Sequence, residues 1–158
     1  MEYKKYLIRR HLDIYAELEL AKFLERRGIQ VFYPFKDIGI DMLAFNGKSF
    51  EFYQLRARNE MKRYPNVYWF PIKKRELEKL SKFPNVFFIL CALKRNGKFD
   101  FFKLPLRIVK KYIKLKEKKR KKEEKMFLEI ERIGERNYKI RPERIRKLIN
   151  INSYLFKI

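Results

Sequence analysis

Residues 37–58 read D-I-G-I-D-M-L-A-F-N-G-K-S-F-E-F-Y-Q-L-R-A-R, and two apolar runs meet there at a turn. Asn46-Gly47 is the strongest short-range hairpin signal, because both residues accept the positive φ that tight hairpin turns require. Residues 40–45 and 50–55 are therefore read as the two arms. Side chains alternate along a strand, so Asp41, Leu43 and Phe45 share one face of the first arm. Phe50, Phe52, Gln54 and Arg56 share one face of the second, which gives a carboxylate an amide and a guanidinium as company. Glu51 offers another register, with Tyr53 at the basic position and Gln54 and Arg56 turned to the other face. The bland alternative is an ordinary hairpin edged with polar residues.

Upstream, residues 2–27 predict one long helix with Ile14, Leu18, Ala21 and Leu24 on its inner stripe and Gly28 as its C-terminal cap. Glu17 falls on the apolar face. A carboxylate there needs a partner, whether a buried arginine, a capped element or a functional site. Residues 29–35 predict the first strand, and Asp37, two before Gly39, is a further candidate ligand or loop residue.

Downstream, residues 58–66 form a polar loop with Lys62 and Arg63, and 67–71 a short strand closed by Pro71. A helix over 73–82 leads to the most apolar strand, 86–93, which Asn96-Gly97 joins to a strand over 99–104. A helix between strands favours a mixed sheet covered on its faces, an α/β architecture. Residues 106–113 predict a helix that runs into the basic segment 116–125, including Lys118, Lys119, Arg120, Lys121 and Lys122. That segment reads as a solvated helix end paired through Glu117 and Glu123, or as a phosphate-contacting arm. Residues 126–132 and 137–140 flank Gly134 as a hairpin, and Pro142 opens a last helix over 143–151. Residues 1–105 are thus expected to be a core domain, and 106–158 a basic extension packed on it.

The 158-residue chain, 46% hydrophobic, is long enough for a single core. Its 41 basic residues against 19 acidic ones give a formal charge of +22, which points to a polyanionic partner, nucleic acid first. A thermophile-like surface would balance the signs better, although the Lys, Glu, Ile and Tyr bias is that of a thermophilic, archaeal-like cytoplasm. Anionic membranes attract such charge too, yet no apolar run approaches the roughly 18 residues a span needs. No secretory apolar segment follows Met1, so the expected location is cytoplasmic. Cys91 is the only cysteine and sits among apolar neighbours, which predicts an inert buried thiol. His11 is the only histidine, so Cys/His zinc sites and histidine-centred triads lack their parts.

Asp41, Gln54 and Arg56 in this order and spacing resemble the PD-(D/E)XK nuclease superfamily, in the variant where glutamine replaces the second acid. Arg56 stands where that superfamily has lysine. Ala16-Glu17 followed by Gly28 is similar to the first helix of its glutamine-type members. The resemblance covers roughly residues 10–105 and implies a restriction-endonuclease-like αβββαβ core. It also implies a restriction-enzyme-like or Holliday-junction-resolvase-like DNA endonuclease, acting as a homodimer on duplex or branched DNA. By the same resemblance Asp41, Gln54 and Glu17, with the Leu55 carbonyl, hold Mg²⁺ or Mn²⁺, and the lysine activates water. Arg56 anchors phosphate or stabilises charge but has too high a pKa to be a base, which leaves Arg58 or Lys22 as candidate replacements. Arg58, Lys62, Arg63 and the basic segment are expected to touch DNA. Two rival readings stay open: a DNA-binding protein without turnover, and an RNA binder or nuclease stacking bases on Tyr68 and Trp69, residues that otherwise belong to the core.

Overall fold

The computed structural model describes residues 11–35, 39–116, 125–135, 137–140, 149–150 and 152–154. Asp37, the basic residues Lys118 to Lys122, the start of the expected first helix and most of the expected last one lie outside the described residues.

The hairpin at the centre of the sequence is also the centre of the fold. Strand β2 (Met42–Phe45) runs antiparallel to β3 (Phe50–Asn59), with Phe45 opposite Phe50 and Met42 opposite Tyr53. The four residues 46–49 join them, as the two expected arms require. Asn46 shapes the loop, because its Oδ1 accepts the Lys48 and Ser49 backbone N–H groups at 3.0 Å each, while Gly47 takes φ +86°.

Five strands make the first sheet, with β1 (Gln30–Phe32), β5 (Val86–Leu93) and β6 (Phe99–Pro105) in the order β1-β2-β3-β5-β6. Only β3 and β5 run parallel, so the sheet is mixed as the intervening helix predicts. Buried on both faces, β5 reads as a continuous apolar run.

Helix α1 (Leu12–Glu25) covers one face, and its inner stripe is Ala16, Leu20, Phe23 and Leu24. The expected stripe is corrected here: Leu24 is buried and Ala21 half-buried, but Ile14 and Leu18 are 56% and 52% exposed. The helix carries apolar residues on nearly every side, so periodicity alone admits several stripes. Packing against Tyr53, Leu55 and Ala57 of β3 selects the one with small Ala16 at the contact. Gly28 ends the helix as expected. At φ +73° it lets its own N–H reach the Glu25 carbonyl and that of Ile29 reach Leu24, a Schellman closure.

The other face is covered by α2 (Lys74–Leu80), α3 (Leu106–Tyr112) and a second sheet. Strand β4 (Val67–Lys73) belongs to that second sheet, where it pairs antiparallel with β8 (Lys125–Arg132) along its full length. Pro71 does not end β4 as expected. It pairs opposite Phe127, and the strand tolerates it because β4 is the outer strand of the sheet. The hairpin flanking Gly134 is present as β8 and β9 (Tyr138–Ile140), and β10 (Ile149–Asn150) pairs with β9, so those two residues are strand rather than helix. After α3 the chain also turns extended, as β7 (Lys114–Lys116), and pairs with β8. Tyr68, Phe70, Ile72, Leu128, Ile130 and Tyr138 join Phe88, Leu90 and Phe102 in one buried cluster, which makes the two sheets share a core.

A candidate active site at the open edge of the third strand

Strand β2 stops short of the end of β3. Asp41, just before β2, continues the ladder by donating its N–H to the Tyr53 carbonyl at 2.9 Å, and in this register it faces Gln54. Beyond that point no strand pairs with β3 on the β2 side among the described residues, and carboxylates take the strand's place. Asp41 Oδ2 accepts the Leu55 N–H at 2.6 Å and the Gln54 Nε2–H at 2.5 Å. One step further, Asp13 of α1 accepts the Ala57 N–H at 2.8 Å through Oδ1.

Arg56 lies beside Asp41. Its Nη1 donates to the Leu55 carbonyl at 2.6 Å and sits 3.8 Å from Asp41 Oδ2, while Nη2 is ion-paired with Glu76 Oε1. Glu76 comes from the first turn of α2, where its other oxygen accepts the Lys73 N–H at 3.4 Å. Asp41, Gln54, Arg56 and Glu76 line a cleft of about 410 Å³ whose remaining wall is Gly39, Lys73, Arg75 and Lys79. The floor is acidic and the rim basic. Such a rim attracts anions, and the floor presents carboxylate and amide oxygens.

The carboxylates are held at a cost. Burial lifts the Asp41 pKa, the Leu55 N–H and Arg56 pull it back, and the charges of Glu76 and Asp13 push it up again, leaving it above the usual range. Burial, then the charges of Asp41 and Asp13, likewise raises Glu17. Glu17 therefore senses the Asp41 charge although it is on α1 and Asp41 is beside the sheet.

Among the described residues no three His, Cys, Asp or Glu side chains converge to hold a metal. A hard cation would therefore draw on amide and backbone oxygens as well. One observation favours it: Gln54 Oε1 is buried and has no hydrogen-bond partner. An unpaired buried amide oxygen is costly unless something binds it. Asp41 and Gln54 thus fit such a cation in kind; Glu17 is not among the residues lining the cleft and is linked to them through the charge of Asp41, while the Leu55 carbonyl, the fourth expected oxygen, is already engaged by Arg56.

The structure brings together Asp41, Gln54 and Arg56. Arg58 sits 3.7 Å from Asp13, to which it is ion-paired, and Lys62 and Arg63 are exposed on a loop and are not among the residues lining the cleft. Glu51 is turned to the opposite face, where it accepts from Tyr53 Oη and Lys103 Nζ, so the alternative register is not used. Tyr68 is fully buried in the core as expected, whereas Trp69, on the other face of β4, is only half-buried and packs on Phe127 outside the core cluster, with ring centroids 5.9 Å apart. Cys91 is buried as expected. Asp13, Glu76, Lys73, Arg75 and Lys79 are additions. Asp13 precedes Glu17 by one helical turn, which is a readable signal; the α2 residues reach the cleft only through the tertiary fold.

A mixed five-stranded sheet with helices on its faces is a restriction-endonuclease-like fold. Among solved structures the chain is similar to the Holliday junction resolvase Hjc of the archaeal hyperthermophile Archaeoglobus fulgidus, at 14% identity and a TM-score of 0.50 over 73% of this chain and 81% of that one. No protein-family model matches the chain, and no curated protein matches it significantly.

Proposed function

We propose that the protein is a divalent-metal-dependent DNA endonuclease of the resolvase type, hydrolysing phosphodiester bonds in branched DNA. The observation that carries this reading is the Asp41–Gln54 pair beside β3 with its unpartnered buried Oε1, set in a cleft with a basic rim. Asp41, Gln54 and Glu17 would hold the Mg²⁺ or Mn²⁺. When bound, such an ion makes a water nucleophilic near neutral pH and neutralises charge on the phosphoryl oxygens. Lys73, Arg75 and Lys79 attract and orient the phosphodiester. Arg56 adds a fork suited to phosphate oxygens, without serving as a base. A branched junction has two-fold symmetry, and a homodimer would present two such clefts to it.

Purified protein is incubated with four-way-junction, supercoiled, linear and single-stranded DNA plus Mg²⁺ or Mn²⁺, beside Asp41→Ala. Cutting of junction DNA that Asp41→Ala abolishes supports the reading. Absence of cutting on every substrate, or equal cutting by the variant, refutes it.

A second reading is favoured by Arg56 itself. Its ion pair with Glu76, in place of the lysine of the resembled superfamily, suits a protein that binds DNA without turnover. Salt-sensitive junction binding with no cutting under any metal would establish it.

A further inference from the structure

We infer that Arg56 is the resident cation of the cleft and competes with a divalent metal for the oxygens that would hold it. The identity of that metal rests on the nuclease reading above. One guanidinium draws on three oxygen sources, the Leu55 carbonyl at 2.6 Å, Asp41 Oδ2 at 3.8 Å and Glu76 Oε1 by direct ion pairing. Of these, the Asp41 carboxylate and the Leu55 carbonyl are hard oxygens of the kind Mg²⁺ and Mn²⁺ select. A side chain and an ion are therefore offered two of the same ligands.

Chemistry makes the competition strict. Arg56 cannot vacate its place by losing a proton, as a lysine can, because guanidinium stays charged at any working pH. It can leave only by moving. The Glu76 side chain is only 12% exposed and that of Arg56 26%, so solvent screens the repulsion between guanidinium and an incoming dication poorly. The Gln54 amide is set for the same state: its Nε2 faces Asp41 Oδ2 at 2.5 Å, whereas joint ligation of a cation would need Oε1 turned to that side. Glu76 lies on α2, off the sheet, and gives the displaced guanidinium a place to remain. Metal loading thus requires Arg56 to release Leu55 and Asp41 while keeping Glu76.

Mn²⁺ affinity is measured by electron paramagnetic resonance of the free ion, without DNA, for the wild type, Arg56→Ala, Arg56→Gln and each of these combined with Asp41→Asn. Thermal melts confirm folding. Both neutral variants should bind Mn²⁺ at least about tenfold more tightly than the wild type, and Asp41→Asn should remove the gain. In the wild type itself, Mg²⁺ titration should shift the ¹⁵N side-chain resonance of Arg56 together with the backbone resonance of Leu55. Equal Mn²⁺ affinities in wild type and a folded neutral variant, a gain that survives Asp41→Asn, or an Arg56 resonance unmoved while Leu55 shifts would each overturn the inference. None of these readouts depends on turnover, so the nuclease reading stands or falls separately on the cleavage assay.

Discussion

Asp13 and Asp41 do one job at neighbouring positions of β3: Asp41 accepts the Leu55 N–H at 2.6 Å and Asp13 accepts that of Ala57 at 2.8 Å. Each also has an arginine of the same strand beside it, Arg56 at 3.8 Å and Arg58 at 3.7 Å. Two side chains from different elements thereby complete the edge that β2 leaves open. Of the two, Asp41 alone lines the cleft, so the pair separates an edge-capping duty from a chemical one.

Asp13→Ala should leave the Ala57 N–H without an acceptor inside the protein and lower stability by about 1 kcal/mol. The value is small because the Asp13 side chain is half exposed and water can approach. Asp13→Asn, which keeps an acceptor oxygen, should cost less. Urea denaturation of the three proteins under one buffer checks the order.

Glu17 gives a pH prediction with a definite sign. Its carboxyl is harder to ionise in the folded chain than the ordinary value of 4.5 implies, so the folded state holds the proton to higher pH than the unfolded state does. Stability contributed by this group is therefore lost as pH rises from 4.5 through the raised folded value, and the loss is constant above it. Glu17→Gln should stabilise the protein at about pH 7, and the difference from wild type should vanish once the pH falls below the ordinary carboxyl value. Melting both proteins across that range checks it. A gain in stability that removes cutting would mark a group held ionised for function.

Lys62 and Arg63 occupy an exposed loop that is cinched at its base, where Met61 N–H donates to the Val67 carbonyl at 2.8 Å and Glu60 accepts the Asn66 N–H. Replacing either with Ala should weaken junction binding for all sequences alike. For each phosphate that is no longer neutralised, the slope of log affinity against log salt should shrink by about 0.9. Fluorescence anisotropy over a salt series measures it, and an unchanged slope would place the DNA elsewhere.

Tyr138 ties the C-terminal hairpin to the first sheet. Its hydroxyl donates to Asp100 Oδ2, while Lys94 Nζ holds the other oxygen at 2.9 Å. Asp100 is 2% exposed, so Tyr138→Phe should strand a buried carboxylate oxygen at a cost of about 1–3 kcal/mol. Differential scanning calorimetry reads this as a lowered Tm with the cleft chemistry intact.

The hairpin, its facing Asp41 and Gln54, and the helical cap at Gly28 are legible in the sequence because each rests on local rules of turn chemistry and strand alternation. The helix stripe is not, since α1 is apolar on several sides and only contact with β3 chooses among them. Strand β4 is legible as a strand but not as a member of a second sheet, because its partner β8 lies far along the chain and nothing near Pro71 announces it. Glu76 belongs to the same class. Its role exists only once α2 is folded back over Arg56.

Because β4 waits for β8, the chain is vulnerable while it is being made. Tyr68, Phe70 and Ile72 leave the ribosome on the order of several seconds before Leu128 and Ile130 emerge to cover them. During that interval an aromatic row and a bare strand edge are available to any other nascent chain, which is the situation chaperone binding relieves. Production of this protein should therefore respond to translation speed and to chaperone supply more than its finished stability would suggest.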